Sequence, residues 1–206
     1  MAFGGRERGK EARMSVDVRA VLRETGAWLE GHFLLHSGRH SDQFIQMAQA
    51  FQYPDKVEML CGALAEELKR YNPKVIIGPA VGGILMAHEV GRALGVRALY
   101  SEKRDGVHQL GRGFRIEPGE PVAVVDDVST TGGSIREVMQ AVRKVGGRVV
   151  AVGLLVDRSG GVFGFDVSYV WLASIKMESW QPIDCPLCRQ GVPLTDPDTR
   201  QPIEQA

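Results

Sequence analysis

The stretch VAVVDDVSTTGGS, residues 122–134, decides how this chain is read. Its first four residues are apolar and drive a buried strand toward two adjacent carboxylates, Asp126 and Asp127. Hydroxyl and glycine residues follow from Ser129 to Ser134, and an amphipathic helix begins near Ser134. A strand that ends in carboxylates, with a Thr/Gly turn at a helix N-terminus, suits a phosphorylated sugar. The backbone N–H groups of the turn and the helix dipole face the phosphate, and the carboxylates sit where ribose hydroxyls would lie. A Walker A loop needs a Lys after its last glycine, whereas Ser134 follows Gly133 directly. A dinucleotide-binding turn needs spaced glycines, which this run lacks. The bland reading is an ordinary strand–turn–helix with a capped helix.

Outward from this run, strands and helices alternate. Residues 16–23 carry a short helical pattern. Residues 32–51 read as irregular, with turn residues at Ser37, Gly38, Ser41 and Asp42 and a short strand at Phe44 and Ile45. Pro54 opens a helix whose apolar face is Val57, Leu60, Cys61, Leu64, Ala65 and Leu68, at steps of three and four. Strands are predicted over 75–77, 96–100, 121–125, 149–156 and 167–172, and helices over 83–94 and 135–145. Residues 103–118 are polar and glycine-punctuated, a loop or hairpin. The alternation implies right-handed crossovers and a parallel sheet, which binds ligands beyond the carboxyl ends of its strands. Gly78-Pro79, Lys103, Asp126-Asp127 and Asp157-Arg158 all fall just past a strand and so converge on one edge.

The 206 residues suit one domain with a small extension. With 25 basic and 25 acidic residues the formal net charge is zero, which argues against nucleic acid or an anionic membrane as partner. No apolar run approaches membrane-spanning length. Residues 1–13 are polar and basic without an apolar segment, and read as a disordered leader rather than a secretory signal, with Met14 an alternative start. Three cysteines cannot all pair with one another, and a reducing cytoplasm is the expected setting.

The 122–134 run resembles the phosphoribosyl-pyrophosphate (PRPP) motif of type I phosphoribosyltransferases. Once it is placed, the chain from about residue 33 to 200 is similar to the orotate phosphoribosyltransferase family. FLLHSGRHSDQF (33–44) resembles the family's N-terminal segment, IIGPAVGGI (76–84) its pyrophosphate loop, and SEKRDGVHQLGRGF (101–114) its mobile catalytic loop. LVDRSGG (155–161) resembles the orotate-side strand end. DCPLCRQGVPL (184–194) is similar to a C-terminal tail of one bacterial and archaeal branch. The resemblance implies an α/β type I phosphoribosyltransferase fold, a mostly parallel central sheet flanked by helices. It implies a single domain over 14–206, its small hood formed by about 14–53 and the C-terminal tail.

It also implies an Mg²⁺-dependent transfer from PRPP to orotate in pyrimidine synthesis, by a cytoplasmic homodimer whose catalytic loop serves the neighbouring subunit. Asp126 and Asp127 would hold the ribose, and Val128, Ser129, Thr130, Thr131, Gly132, Gly133 and Ser134 would cradle the 5′-phosphate. Ala80, Val81 and Gly82 would meet the pyrophosphate, which Lys103 and Arg104 would neutralise, with Arg112 and Arg115 as further cations. A solvated basic loop is the bland alternative. Arg158, Thr130 and Phe44 would contact orotate, although Arg158 could instead form a surface salt bridge with Asp157. Ile45 and His36 depart from the family's aromatic and Lys, and of the loop cations Lys103 aligns best. The rivals are a purine or other nucleobase phosphoribosyltransferase and a non-catalytic PRPP-sensing regulator.

No protein metal site is expected, since Mg²⁺ would be held mainly by PRPP and water. His32, His36 and His40 are spaced by four, but Ser37-Gly38 interrupts any helix that would align them. Cys185 and Cys188 supply two of the four ligands a zinc ion needs. A structural tail without bound zinc is the expectation, with zinc shared across a dimer as the alternative.

Overall fold

The computed structural model describes residues 10–11 and 16–203. In chain order the elements are β1 (Lys10–Glu11), α1 (Val18–Glu24), β2 (Trp28–Leu34), β3 (His40–Ile45), α2 (Met47–Phe51), α3 (Pro54–Lys69) and β4 (Val75–Pro79). They continue with α4 (Gly82–Leu94), β5 (Arg97–Arg104), β6 (Val107–Leu110), β7 (Pro121–Ser129), α5 (Gly133–Lys144), β8 (Arg148–Asp157), β9 (Ser168–Ser174) and α6 (Pro186–Arg189). One seven-stranded sheet runs in the order β1-β9-β8-β7-β4-β5-β6, parallel except for the β5–β6 hairpin. It is the α/β architecture that the alternating pattern predicts.

The central strand shows how the sheet is built. Successive residues of a strand face opposite sides. Val122 and Val124 therefore join a core with Ile135, Val138 and Val142 of α5. Ala123 and Val125 join the opposite core with Leu60, Leu64 and Leu68 of α3 and Met86 and Val90 of α4. A strand covered on both faces reads as a continuous apolar run, which is why β7 and β8 are legible in the sequence. The helix ends follow their punctuation. Pro54 opens α3, and Gly95, at φ 66°, closes α4 in the left-handed conformation.

The structure departs from expectation in two places. The 32–51 segment is not irregular. Its first part forms an antiparallel hairpin, β2 with β3, as a separate two-stranded sheet, and α2 follows. The ladder shifts register between Glu30 and Phe33, and that irregularity breaks the period-two pattern by which a strand is recognised. The second departure is in the leader, where Lys10 and Glu11 pair in parallel with Val170 and Trp171 of β9. Strand β9 would otherwise leave an unpaired edge. The rest of residues 1–13, and Met14, lie outside the described residues. Among those described, no helix is long and apolar enough to cross a membrane.

Candidate active site

Asp126 and Asp127 end the apolar part of β7, between β4 and β8. Being consecutive on a strand, they serve opposite sides. Asp126 lines a cavity of about 370 Å³ together with Lys103, residues 128–134 and Glu137. Asp127 lines a second cavity, of about 520 Å³, with Val81 and Gly82 of the loop entering α4 and with Gln46 and Phe51 from the hood. The acidic pair is therefore the partition between two chambers.

The turn between β7 and α5 is shaped for an anion. Gly132 caps α5 at φ 75°, and a Cβ there would lie 2.7 Å from the ring of Phe165. Only glycine meets both conditions. The first turn of α5 holds no acidic residue, so its backbone N–H groups remain available to a phosphate. Arg136 does not face the cavity. Its guanidinium donates to Thr131 O at 2.6 Å and to Phe163 O, tying the turn to the next loop. At the other chamber a Cβ on Gly82 would sit 2.6 Å from Asp127 Oδ2, so glycine is what lets that loop approach the carboxylate.

Both carboxylates accept backbone hydrogen bonds, Asp126 from Asp127 N (3.1 Å) and Asp127 from Val128 N (2.6 Å). Burial, and then the neighbouring charge of Asp127, push the Asp126 carboxyl well above the ordinary carboxylate range. Burial raises Asp127 as well. Acids adjacent in the chain with raised pKa titrate as a pair.

Residues 101–114 form a hairpin, β5 with β6, turning at Asp105 (φ 51°) and Gly106 (φ 80°). Strand alternation separates the two basic residues, and the cavity takes Lys103 but not Arg104. The Arg104 guanidinium lies 3.8 Å from Glu102, and Arg112 holds the same carboxylate through two hydrogen bonds of 2.7 and 3.0 Å. Arg104 is thus placed beside Glu102 and not at this cavity. His108 is buried against Ser101 Oγ at 3.1 Å, and burial lowers its pKa, so it supplies no cation here.

Arg158 follows β8, its N–H donating to Ser129 O at 2.8 Å, so its backbone abuts the phosphate turn. The salt bridge with Asp157 does not form. The Asp157 carboxylate is fully buried and accepts from Ser159 N and Gly161 N, each at 2.6 Å. Arg158 Nε is buried with no hydrogen-bond partner among the described residues, and burial pulls the guanidinium below its usual pKa. Thr130 lines the Asp126 cavity. Phe44 lies on β3 with its ring 6.2 Å from that of Phe33, and neither cavity is lined by it.

One group of side chains escaped the sequence reading. His32, His40, Cys185 and Cys188 place their ligand atoms within 4.8 Å of one another. A second pair of potential ligands, His32 and His40, therefore does lie beside the Cys-x-x-Cys. The β2–β3 ladder, not a helix, aligns the two histidines, while His36 sits exposed in the turn between them.

Comparisons with known proteins agree with this geometry. The phosphoribosyl transferase domain family matches residues 49–187, and the chain belongs to that family. The orotate phosphoribosyltransferase of Pelotomaculum thermopropionicum is 51% identical over 185 residues, 90% of this chain and 97% of that protein. The orotate phosphoribosyltransferase of Thermotoga maritima is 43% identical over 89% of this chain and 98% of its own length. Among solved structures, orotate phosphoribosyltransferase from Aeropyrum pernix superimposes with a TM-score of 0.66 at 29% identity, over 77% of this chain and 93% of that one.

Proposed function

We infer that the chain is an orotate phosphoribosyltransferase. It transfers the 5-phosphoribosyl group of PRPP to orotate, giving orotidine 5′-phosphate and pyrophosphate in de novo pyrimidine synthesis. The observation that carries the reading is the single cavity in which Asp126 and the whole 128–134 turn meet. That set supplies a ribose acceptor and a phosphate cradle in one place.

In the reaction the bond from the anomeric carbon to a pyrophosphate oxygen breaks as a ring nitrogen of orotate bonds to that carbon. Positive charge grows on the ribose and negative charge on the leaving group, as in other glycosyl transfers. We assign Asp126 and Asp127 to the ribose hydroxyls and to the field that stabilises the cationic sugar. Residues 129–134 hold the 5′-phosphate, and the backbone at residues 80–82 meets the pyrophosphate. Lys103 neutralises the leaving group, a fixed-charge contribution that carries much of enzymatic rate enhancement. The carboxylates of Asp126, which is buried, and Asp127, half-buried at the other chamber, are hard oxygen acceptors that would meet a phosphate-bound Mg²⁺ through its waters. When bound, that ion offsets the charge of the pyrophosphate.

Arg158 and Thr130 are assigned to orotate. A reducing cytoplasm is the proposed setting, since three cysteines cannot all pair with one another. Assayed with PRPP and Mg²⁺ against orotate, uracil, adenine, guanine and xanthine, the enzyme is expected to turn over orotate at least about 10²-fold faster than uracil, which lacks the carboxylate. Removal of divalent cation with EDTA is expected to stop turnover. Equal rates with uracil overturn the orotate assignment, and turnover with a purine alone assigns the rival base.

We further propose a homodimer in which Lys103 serves the partner's site. Lys103→Ala and Asp127→Asn, each nearly inactive alone, are mixed and allowed to exchange subunits. With shared sites, about half the dimers are mixed and about a quarter of all sites carry neither lesion. Recovery of about a quarter of wild-type activity is expected. Confirmed exchange without recovery assigns Lys103 to its own chain, whose cavity it also lines.

A further inference from the structure

We propose that His32, His40, Cys185 and Cys188 bind one structural zinc ion that clamps the hood hairpin to the C-terminal tail. His32 lies on β2 and His40 on β3, and the cysteines bracket the start of α6, with Cys185 153 residues from His32. The separations are those of a coordination shell. His32 Nε2 is 3.0 Å from His40 Nδ1 and 3.4 and 3.7 Å from the sulfurs of Cys185 and Cys188. Cys188 Sγ is 3.2 Å from His40 Nδ1. Zinc bonds of about 2.0 Å to nitrogen and about 2.3 Å to sulfur set tetrahedral edges of about 3.3 Å between nitrogens and about 3.5 Å between nitrogen and sulfur.

The chemistry of the group favours the same ion. His32 Nδ1 lies 2.8 Å from Val192 O. A carbonyl only accepts, so Nδ1 carries the proton and the Nε2 lone pair faces the other three ligands. Orientation of a ligating histidine by such an outer hydrogen bond is the usual arrangement in metal sites. Two thiolates balance the charge of Zn²⁺, so the filled site is neutral, as burial requires. His32, His40 and Cys185 are all buried. A tetrahedral set of two sulfurs and two nitrogens selects zinc, and a space this small admits a single ion rather than a cluster. Four protein ligands leave no open position, which makes the site structural rather than catalytic.

The position explains the need. The β2–β3 hairpin is a two-stranded sheet apart from the main one, and such a unit is marginal by itself. The tail straps it at both ends. Thr195 N donates to His32 O at 2.8 Å, and Trp180 and His40 exchange backbone hydrogen bonds of 2.8 and 2.9 Å. The metal cross-links this junction between segments that are distant in sequence. Closing a long loop in the unfolded chain is how such a tie adds stability.

The test uses untagged full-length protein from zinc-replete cells. Elemental analysis is expected to give about one zinc per chain, retained in Cys61→Ala and reduced to below about a tenth in the double variant Cys185→Ser/Cys188→Ser. Zinc removal by chelation is expected to lower the Tm, and added Zn²⁺ to restore it. If the double variant does not fold, Co²⁺ substitution of the wild type decides. Strong visible bands of tetrahedral, thiolate-bound Co²⁺ support the site, and a weak octahedral spectrum rejects it. The proposal is overturned by wild-type protein that neither holds zinc nor takes up Co²⁺ on thiolates, and by zinc that survives in the double variant. Half a zinc per chain also overturns it, since that places the ion between two copies.

Discussion

Asp126→Asn and Asp127→Asn are each expected to fold and to lose turnover by about 10²-fold or more, the scale of removing one group that stabilises developing charge. The two substitutions change charge while nearly conserving volume, and each amide retains an oxygen to accept the backbone N–H that the carboxylate accepts now. Stability moves the other way. Burial raises both carboxyls in the folded protein above their unfolded values. The empty wild-type protein is therefore favoured at low pH, and it loses stability as pH rises from the unfolded value of about 4 through the folded-state values. Each Asn variant is expected to show a Tm at neutral pH equal to or above wild type, with a shallower loss as pH rises. A lost site coupled to a gained Tm is what a strained functional pair produces. Thermal unfolding across pH, beside steady-state rates with orotate, checks both halves. Near-normal activity in both variants would return the pair to a purely structural role.

The parts of the fold that were legible in the sequence share one cause. Strands β4, β7, β8 and β9 are covered on both faces, so each appears as an apolar run, and that of β7 ends in the acidic pair that reaches the site. Helix α3 is amphipathic over its whole length and punctuated by Pro54. What was not legible depends on contacts between distant residues. The hood hairpin carries a register shift and takes its support from the tail, so its own residues show little alternation. The His32–His40–Cys185–Cys188 group is split between chain segments, and local spacing shows each half without showing that the halves meet. The placements of Arg104 and Asp157 differ for another reason. Adjacency groups Lys103 with Arg104 and offers Asp157 as an alternative partner for Arg158. On a strand, neighbours point apart, and the Asp157 carboxylate is already committed to two backbone N–H groups.

Arg158→Gln is expected to cut kcat/KM for orotate by about 10²-fold, equivalent to about 3 kcal/mol, while the KM for PRPP changes little. The guanidinium is half-buried, its Nε has no hydrogen-bond partner among the described residues, and the Asp157 beside it in sequence is occupied elsewhere. A desolvated donor of this kind costs stability until a ligand satisfies it. Its backbone is fixed to Ser129 O, at the margin of the phosphate turn. The orotate carboxylate is the natural partner, since a planar guanidinium binds a carboxylate through two parallel hydrogen bonds. Glutamine keeps a donor but loses the charge and the paired geometry. The preference for orotate over uracil should therefore collapse toward unity, because only orotate presents the group that Arg158 serves. The Tm should hold or rise, since the variant removes a buried donor that has no partner in the empty site. Measuring kcat/KM for both bases in both proteins separates this from general damage, which lowers the two rates together. An orotate-to-uracil ratio left at its wild-type value removes Arg158 from base recognition.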